Sequence, residues 1–154
     1  MKYRFAVDKS LGSLAKWLRI LGFDTVYEAD VSAADFYHQL DEGRTLITRT
    51  KKIRKAYPGS NHVFIESNSL QEQLKQTVEH LGIGRPDICP FSRCIHCNLP
   101  IDRIAREEVS GLVPDHIWET HETFNRCRRC DRIYWPGSHT ERIADRIKEL
   151  FDPL

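Results

Sequence analysis

The chain has 154 residues, 40% of them hydrophobic and 29% charged, with a net charge of +1. That length holds one proper core with a small satellite domain beside it. The near-neutral balance excludes a global attraction to nucleic acid or anionic membrane, so any such binding must come from local patches. No apolar stretch approaches the roughly 20 residues that span a bilayer, and MKYRFAVDKS carries charges where a signal peptide has its apolar core. The expectation is a cytoplasmic protein, in which a reducing environment turns five cysteines toward metal binding or free thiols.

Tyr3, Phe5 and Val7 alternate into Asp8, a strand ending on an acid. Leu11, Leu14, Ala15 and Leu18 recur at helical spacing, and Gly22 is placed to stop that helix. Thr25 to Tyr27 reads as a short strand. Ser32 with Asp35 makes a capping box for a helix whose apolar face is Ala33, Phe36, Tyr37 and Leu40. Thr45 to Thr48 is a third strand, running into a short basic helix that Pro58-Gly59 ends. Val63 to Ile65 is a fourth strand, and Ser69 with Glu72 caps a helix carrying Leu70, Leu74, Val78 and Leu81. Strands alternate with helices throughout, which favours an α/β fold with a mostly parallel sheet flanked by helices.

GIGRPD, residues 82 to 87, breaks every regular pattern and reads as a boundary, giving an α/β domain over 1–84 and a smaller region over 85–154. The last element is a helix from Ser138 to Phe151, capped by Ser138 with Glu141.

Within the smaller region, Cys94-Ile-His-Cys97 and Cys127-Arg-Arg-Cys130 are two C-x-x-C pairs separated by 29 residues. Each pair lets two thiolates reach one ion, and two pairs complete a tetrahedral sulfur shell for Zn²⁺. With no open position the zinc is structural, so the region is a small C-terminal zinc ribbon with a terminal helix. The bland alternative is four buried thiols or a redox pair, which would leave one pair idle. Asn98 and Asp131 follow the two pairs, and both tolerate a left-handed backbone. Cys89 reads as a lone thiol, and His96 as an alternative ligand that four sulfurs make unnecessary.

Asp8 ends the first strand, Asp30 follows the second, and Asp35 lies in the first turn of the next helix. Carboxyl ends of parallel strands line ligand crevices, and clustered carboxylates suit Mg²⁺ or Mn²⁺, which can activate water against a phosphodiester. Singly, each acid is explained as well by a cap or an exposed loop. In TLITRTKKIRK, residues 45 to 55, five of the eight residues after Ile47 are basic: Arg49, Lys51, Lys52, Arg54 and Lys55. They suit a phosphate backbone, although such runs are often only a solvated face. Arg126, Arg128, Arg129 and Arg132, with Tyr134 and Trp135, form a second patch that could stack single-stranded RNA, or in which Trp135 packs the ribbon against the larger domain.

DKSLGSLAKWLRILGFDTVY, LITRT, SRCIHCNLP and FNRCRRCDRIYWPGSH together resemble the PIN-like ribonuclease family named for the carboxy-terminal domain of the Mut-seven exonucleases. The resemblance covers residues 3 to about 142. It implies a PIN-like α/β domain fused to a zinc ribbon, and metal-dependent cleavage of RNA by clustered acids in RNA processing or turnover. Asp8 matches the family's first acid, and Asp30 or Asp35 the second. After the third strand the family reads T-R-D, whereas this chain reads Thr48-Arg49-Thr50. A neutral hydroxyl there keeps open the alternative of a weak or inactive enzyme that binds RNA. Glu66 is a candidate substitute.

Overall fold

The structure, a computed structural model, describes residues 2–56 and 61–152. The expected Pro58-Gly59 stop lies outside the described residues. The chain divides into two compact units, Met1–Asn98 and Leu99–Leu154.

The first unit is built on four short strands, β1 (Arg4–Val7), β2 (Asp24–Tyr27), β3 (Thr45–Thr48) and β4 (His62–Phe64). All pair in parallel, in the order β2-β1-β3-β4. Phe5, Ala6, Val7, Leu46 and Ile47 are wholly buried, as expected of strands covered on both faces. Four helices connect and cover them: α1 (Gly12–Ile20), α2 (Ala33–Asp41), α3 (Lys51–Ala56) and α4 (Leu70–Leu81).

Strand alternation sends neighbouring side chains to opposite faces. Ala6 and Leu46 meet Phe36 and Leu40 of α2, with Ile53 of α3 against them. Phe5 instead packs edge-on to Phe23, ring centres 5.3 Å apart. Truncating Phe36 to alanine would leave a cavity costing about 3–5 kcal/mol. Helix α1 turns back through Gly22, whose φ of +96° requires glycine. A Cβ there would also stand 2.4 Å from the Cys89 carbonyl oxygen.

Strand order fixes where function can sit. From β1 the chain moves to β2 on one side, then crosses to β3 on the other. The topological switch point therefore lies between the carboxyl ends of β1 and β3, where open α/β sheets form their ligand crevice.

The second unit has an antiparallel sheet of β5 (Asp102–Ile104), β6 (Phe124–Arg126) and β7 (Ile133–Tyr134), with α5 (Asp115–Thr120) and α6 (Ser138–Phe151). Its core is Val109, Val113 and Phe124, and Trp118 and Trp135 pack against it. Trp135 thus belongs to this unit's own core. The Arg106 guanidinium lies 3.7 Å from the centre of the Trp118 ring. The same arginine donates to the Trp118 carbonyl, while the indole N–H donates to the Arg106 carbonyl.

Two caps differ from the sequence expectation. Ser69 precedes α4 but its side chain accepts no capping hydrogen bond. Ser138 is the first residue of α6 rather than its cap; Gly137 takes that position and donates to the Thr140 hydroxyl at 3.0 Å. Ser32 does cap α2, accepting from the Asp35 N–H at 3.1 Å.

Candidate active site and metal centre

Asp8 immediately follows β1, beside the switch point, and is 1% exposed. One carboxylate oxygen accepts from the Ser10 N–H at 2.8 Å and from the Ser10 hydroxyl. The other accepts from the Arg49 N–H at 3.0 Å and from the Thr48 hydroxyl. A carboxylate has about four lone-pair positions. Two of these are held by fixed backbone donors and two by hydroxyls, which rotate. Asp8 is thereby locked between the turn after β1 and the end of β3.

Tyr27, at the end of β2, marks which other acids lie near. Burial raises the pKa of its phenol first, and the negative charges of Asp30, Asp8 and Glu28 raise it further. Its hydroxyl donates to the Lys9 carbonyl at 2.9 Å, and Glu28 accepts from the Lys9 N–H at 2.9 Å. Asp30, Asp8 and Glu28 thus all act on the Tyr27 phenol. Asp30 is also paired with Arg19 at 3.1 Å. Asp35 is exposed in the first turn of α2 and is not among the charges acting on Tyr27. Glu66 is exposed beyond β4, its N–H directed to Gln76.

Thr50 occupies the position after β3 with its hydroxyl 3.2 Å from that of Thr48, while its N–H donates to the Thr48 hydroxyl at 3.0 Å. Beyond it α3 carries Lys51, Lys52, Arg54 and Lys55, all exposed. Arg49 is half-buried and its guanidinium donates to Asn68. Arg49 is thus held at both ends, by its N–H to Asp8 and its side chain to Asn68.

Glu28 and Thr48 were not anticipated. Glu28 could have been suspected as a further acid just after β2. The role of Thr48 depends on β1 and β3 being neighbours, which local sequence does not state.

The four sulfurs of Cys94, Cys97, Cys127 and Cys130 all lie within 4.8 Å of one another. Tetrahedral bonds of about 2.3 Å to Zn²⁺ place sulfurs roughly 3.8 Å apart, so a small inward movement closes this shell on one ion. No disulfide links any of the five cysteines. Each pair sits in a tight turn: Asn98 N–H donates to the Cys94 carbonyl and Asp131 N–H to the Cys127 carbonyl, both at 2.9 Å. The Cys97 N–H points at the Cys94 sulfur, 3.4 Å away. Asn98 and Asp131 have φ of 59° and 61°, the left-handed geometry that closes such turns. Four cysteines so placed can hold a structural metal such as zinc. His96 and Cys89 are exposed and stand outside the group.

A family model, the Mut7-C RNAse domain, matches residues 3–147. The chain belongs to this family. Neither a curated protein nor a solved structure matches it. Among the described residues, the four cysteines are the only group of three or more His, Cys, Asp or Glu side chains close enough to share one ion. The donors around Asp8 nevertheless suit a hard cation in kind. Each Asp8 oxygen keeps one position held only by a rotatable hydroxyl, and Glu28 and Asp30 add negative charge beside it. No helix among the described residues is long and apolar enough to cross a membrane.

The second arginine patch is partly neutralised. Arg128 pairs with Asp102 at 3.0 Å and Arg126 with Asp131 at 3.2 Å. The Arg126 contact is close but poorly aligned as a hydrogen bond, since that Nε has no satisfied partner. Arg129 and Arg132 are exposed.

Proposed function

We propose that this protein is a metal-dependent ribonuclease of the cytoplasm, acting on single-stranded RNA in processing or turnover, with a PIN-like α/β unit and a structural zinc. The observation that carries the reading is the position of Asp8. It is a buried carboxylate at the switch point of a parallel sheet, next to a helix bearing four exposed cations, in a chain of the Mut7-C RNAse family. Asp8 with Asp30, and Glu28 beside them, would hold Mg²⁺ or Mn²⁺. Asp35 stays a weaker candidate, because it faces solvent from α2. When bound, such an ion makes water a usable nucleophile and stabilises the leaving oxygen. The backbone bonds from Ser10 and Arg49 hold the Asp8 carboxylate in place, and Lys51, Lys52, Arg54 and Lys55 position the phosphates.

Thr50 favours a second reading, an RNA-binding protein with weak or no cleavage. Its hydroxyl supplies no negative charge at the end of β3. The deciding experiment measures cleavage of a mixed single-stranded RNA with Mg²⁺ or Mn²⁺ in wild type, Asp30→Asn and Thr50→Asp. The nuclease reading expects slow, metal-dependent cutting that falls in Asp30→Asn and rises in Thr50→Asp. RNA binding with no cleavage by wild type or Thr50→Asp under either metal would leave only the binding protein.

A further inference from the structure

Leu14, Ala15 and Leu18 fill the apolar face of α1, and Arg19 follows them in its last turn, 6% exposed. A cation there suits the negative end of the helix dipole, but burial still demands acceptors for its N–H groups. Each guanidinium nitrogen finds one in a different segment. Nε donates to the Thr25 carbonyl in β2 at 3.0 Å, and Nη1 to the Ile95 carbonyl at 2.9 Å. Nη2 donates to a carboxylate oxygen of Asp30 at 3.1 Å. Ile95 stands between Cys94 and Cys97, so one planar group joins the first cysteine turn to the acid after β2. Burial lowers the pKa of Arg93 first; Asp24 opposes this, and the positive charges of Arg44 and Arg19 add to it. Arg19 thus stands among like charges, and Asp30 answers them.

We infer that Arg19 is a positioning residue that couples Asp30 to the first cysteine turn. The turn's hold on a metal and the placement of this acid then depend on each other. A guanidinium is planar and rigid, so Nη1 and Nη2 cannot shift independently. Moving the Ile95 carbonyl therefore moves the group that holds Asp30, and the reverse. Coupling of this kind is reciprocal in free energy. The inference rests on the zinc reading of the four cysteines, and its consequence for cleavage rests on the role proposed for Asp30. Neutralising a buried cation would by itself explain the Arg19–Asp30 pair. A pair with that role alone would be indifferent to whether the turn is closed on a metal. Arg93 also fastens this turn, donating to the carbonyls of Asn98 at 2.7 Å and Gly22 at 3.4 Å. Cutting the link to Asp30 therefore loosens the turn rather than freeing it.

The test loads the full chain with zinc, measures its metal content, and follows zinc transfer to a chromophoric chelator. Asp30→Ala leaves Arg19 without its counter-charge and should speed release about fivefold, a modest effect because the Asp30 side chain is 46% exposed. Asp30→Asn keeps an acceptor oxygen and should stay within about twofold of wild type. Arg19→Lys cannot reach all three acceptors and should also release zinc faster. Adding Asp30→Ala to it should then change little, since both remove the same link. Phe36→Leu opens a cavity in the separate cluster under α2 and should leave release unaltered. Release from Asp30→Ala equal to wild type overturns the inference, as does release that merely follows melting temperature through Phe36→Leu. If Arg19→Lys does not fold, the contrast of Asp30→Ala with Asp30→Asn and Phe36→Leu decides alone. A chain that takes up no zinc refutes the zinc reading itself, which metal content tells apart from a loaded chain without coupling.

Discussion

Asn98, the residue after the first C-x-x-C pair, donates its side-chain amide to Asp24 at 2.7 Å. Its amide oxygen accepts from the N–H of Thr25, the next residue of β2, at 2.8 Å. The turn that carries Cys94 and Cys97 is thereby fastened to the edge of the parallel sheet by this side chain. Asn98→Ala removes both bonds and leaves the buried Thr25 N–H without its acceptor, besides placing alanine at a left-handed position. The expected loss is about 1–3 kcal/mol in urea unfolding. Stability equal to wild type would show that the turn is held elsewhere.

Asp24 also sets an acid limit. Burial alone would push its pKa up, but hydrogen bonds from Arg44 and Asn98, with the charges of Arg44 and Arg93, outweigh this and hold it below 3.8. A carboxyl lowered in the folded state stabilises the protein above its unfolded pKa, and that contribution is lost as pH falls through the folded value. Asp24→Asn should therefore be less stable at neutral pH, since Arg44, 8% exposed, loses its bidentate partner. The gap from wild type should narrow as pH drops below 3.8. Thermal melts across that window check this, and a gap independent of pH would refute it.

Asp8 and Asp30 should behave differently when amidated. An asparagine at position 8 turns an N–H₂ group toward donors, so Asp8→Asn should lose about 1–3 kcal/mol whatever the catalytic role. Asp30 accepts a single bond from Arg19, which also donates to the carbonyls of Thr25 and Ile95, and an asparagine oxygen can keep that bond, so Asp30→Asn should cost less than Asp8→Asn. Chemical denaturation of both variants tests the contrast. Equal, small losses would mean that Asp8 is not locked as described.

Neutralising Lys51, Lys52 and Lys55 together should make RNA affinity less dependent on salt. Each lost phosphate contact should reduce the logarithmic slope by a little under about one unit. Binding measured over a salt series gives that slope directly, and an unchanged slope would return α3 to a solvated surface.

One zinc per chain is expected from elemental analysis. Removing it with a chelator, or substituting Cys127→Ser, should lower the melting temperature, because thiolate–metal bonds contribute folding energy outright. Cys89→Ser should do neither, as that thiol is exposed and outside the sulfur group. Metal content near zero with an unaltered Cys127→Ser melt would exclude the site.

Much of this molecule is written in local pattern. Alternation at Phe5–Val7, helical spacing at Leu14, Ala15 and Leu18, and the paired C-x-x-C turns each depend on residues close in sequence, so strands, helices and the cysteine pairs were legible. The left-handed Asn98 and Asp131 follow from the same short-range geometry. What tertiary structure alone decided are the long-range juxtapositions. Sequence did not tell that β1 lies beside β3, and only that adjacency brings Thr48 and the Arg49 N–H onto Asp8 across 40 and 41 positions. It did not show that Asp30 pairs with Arg19 whereas Asp35 stands exposed in the first turn of α2. Nor did it pair Asn98 with Asp24, 74 residues away. Hydrogen bonds of this kind are chosen by strand order and by what desolvation permits, and neither is a property of any local stretch of chain.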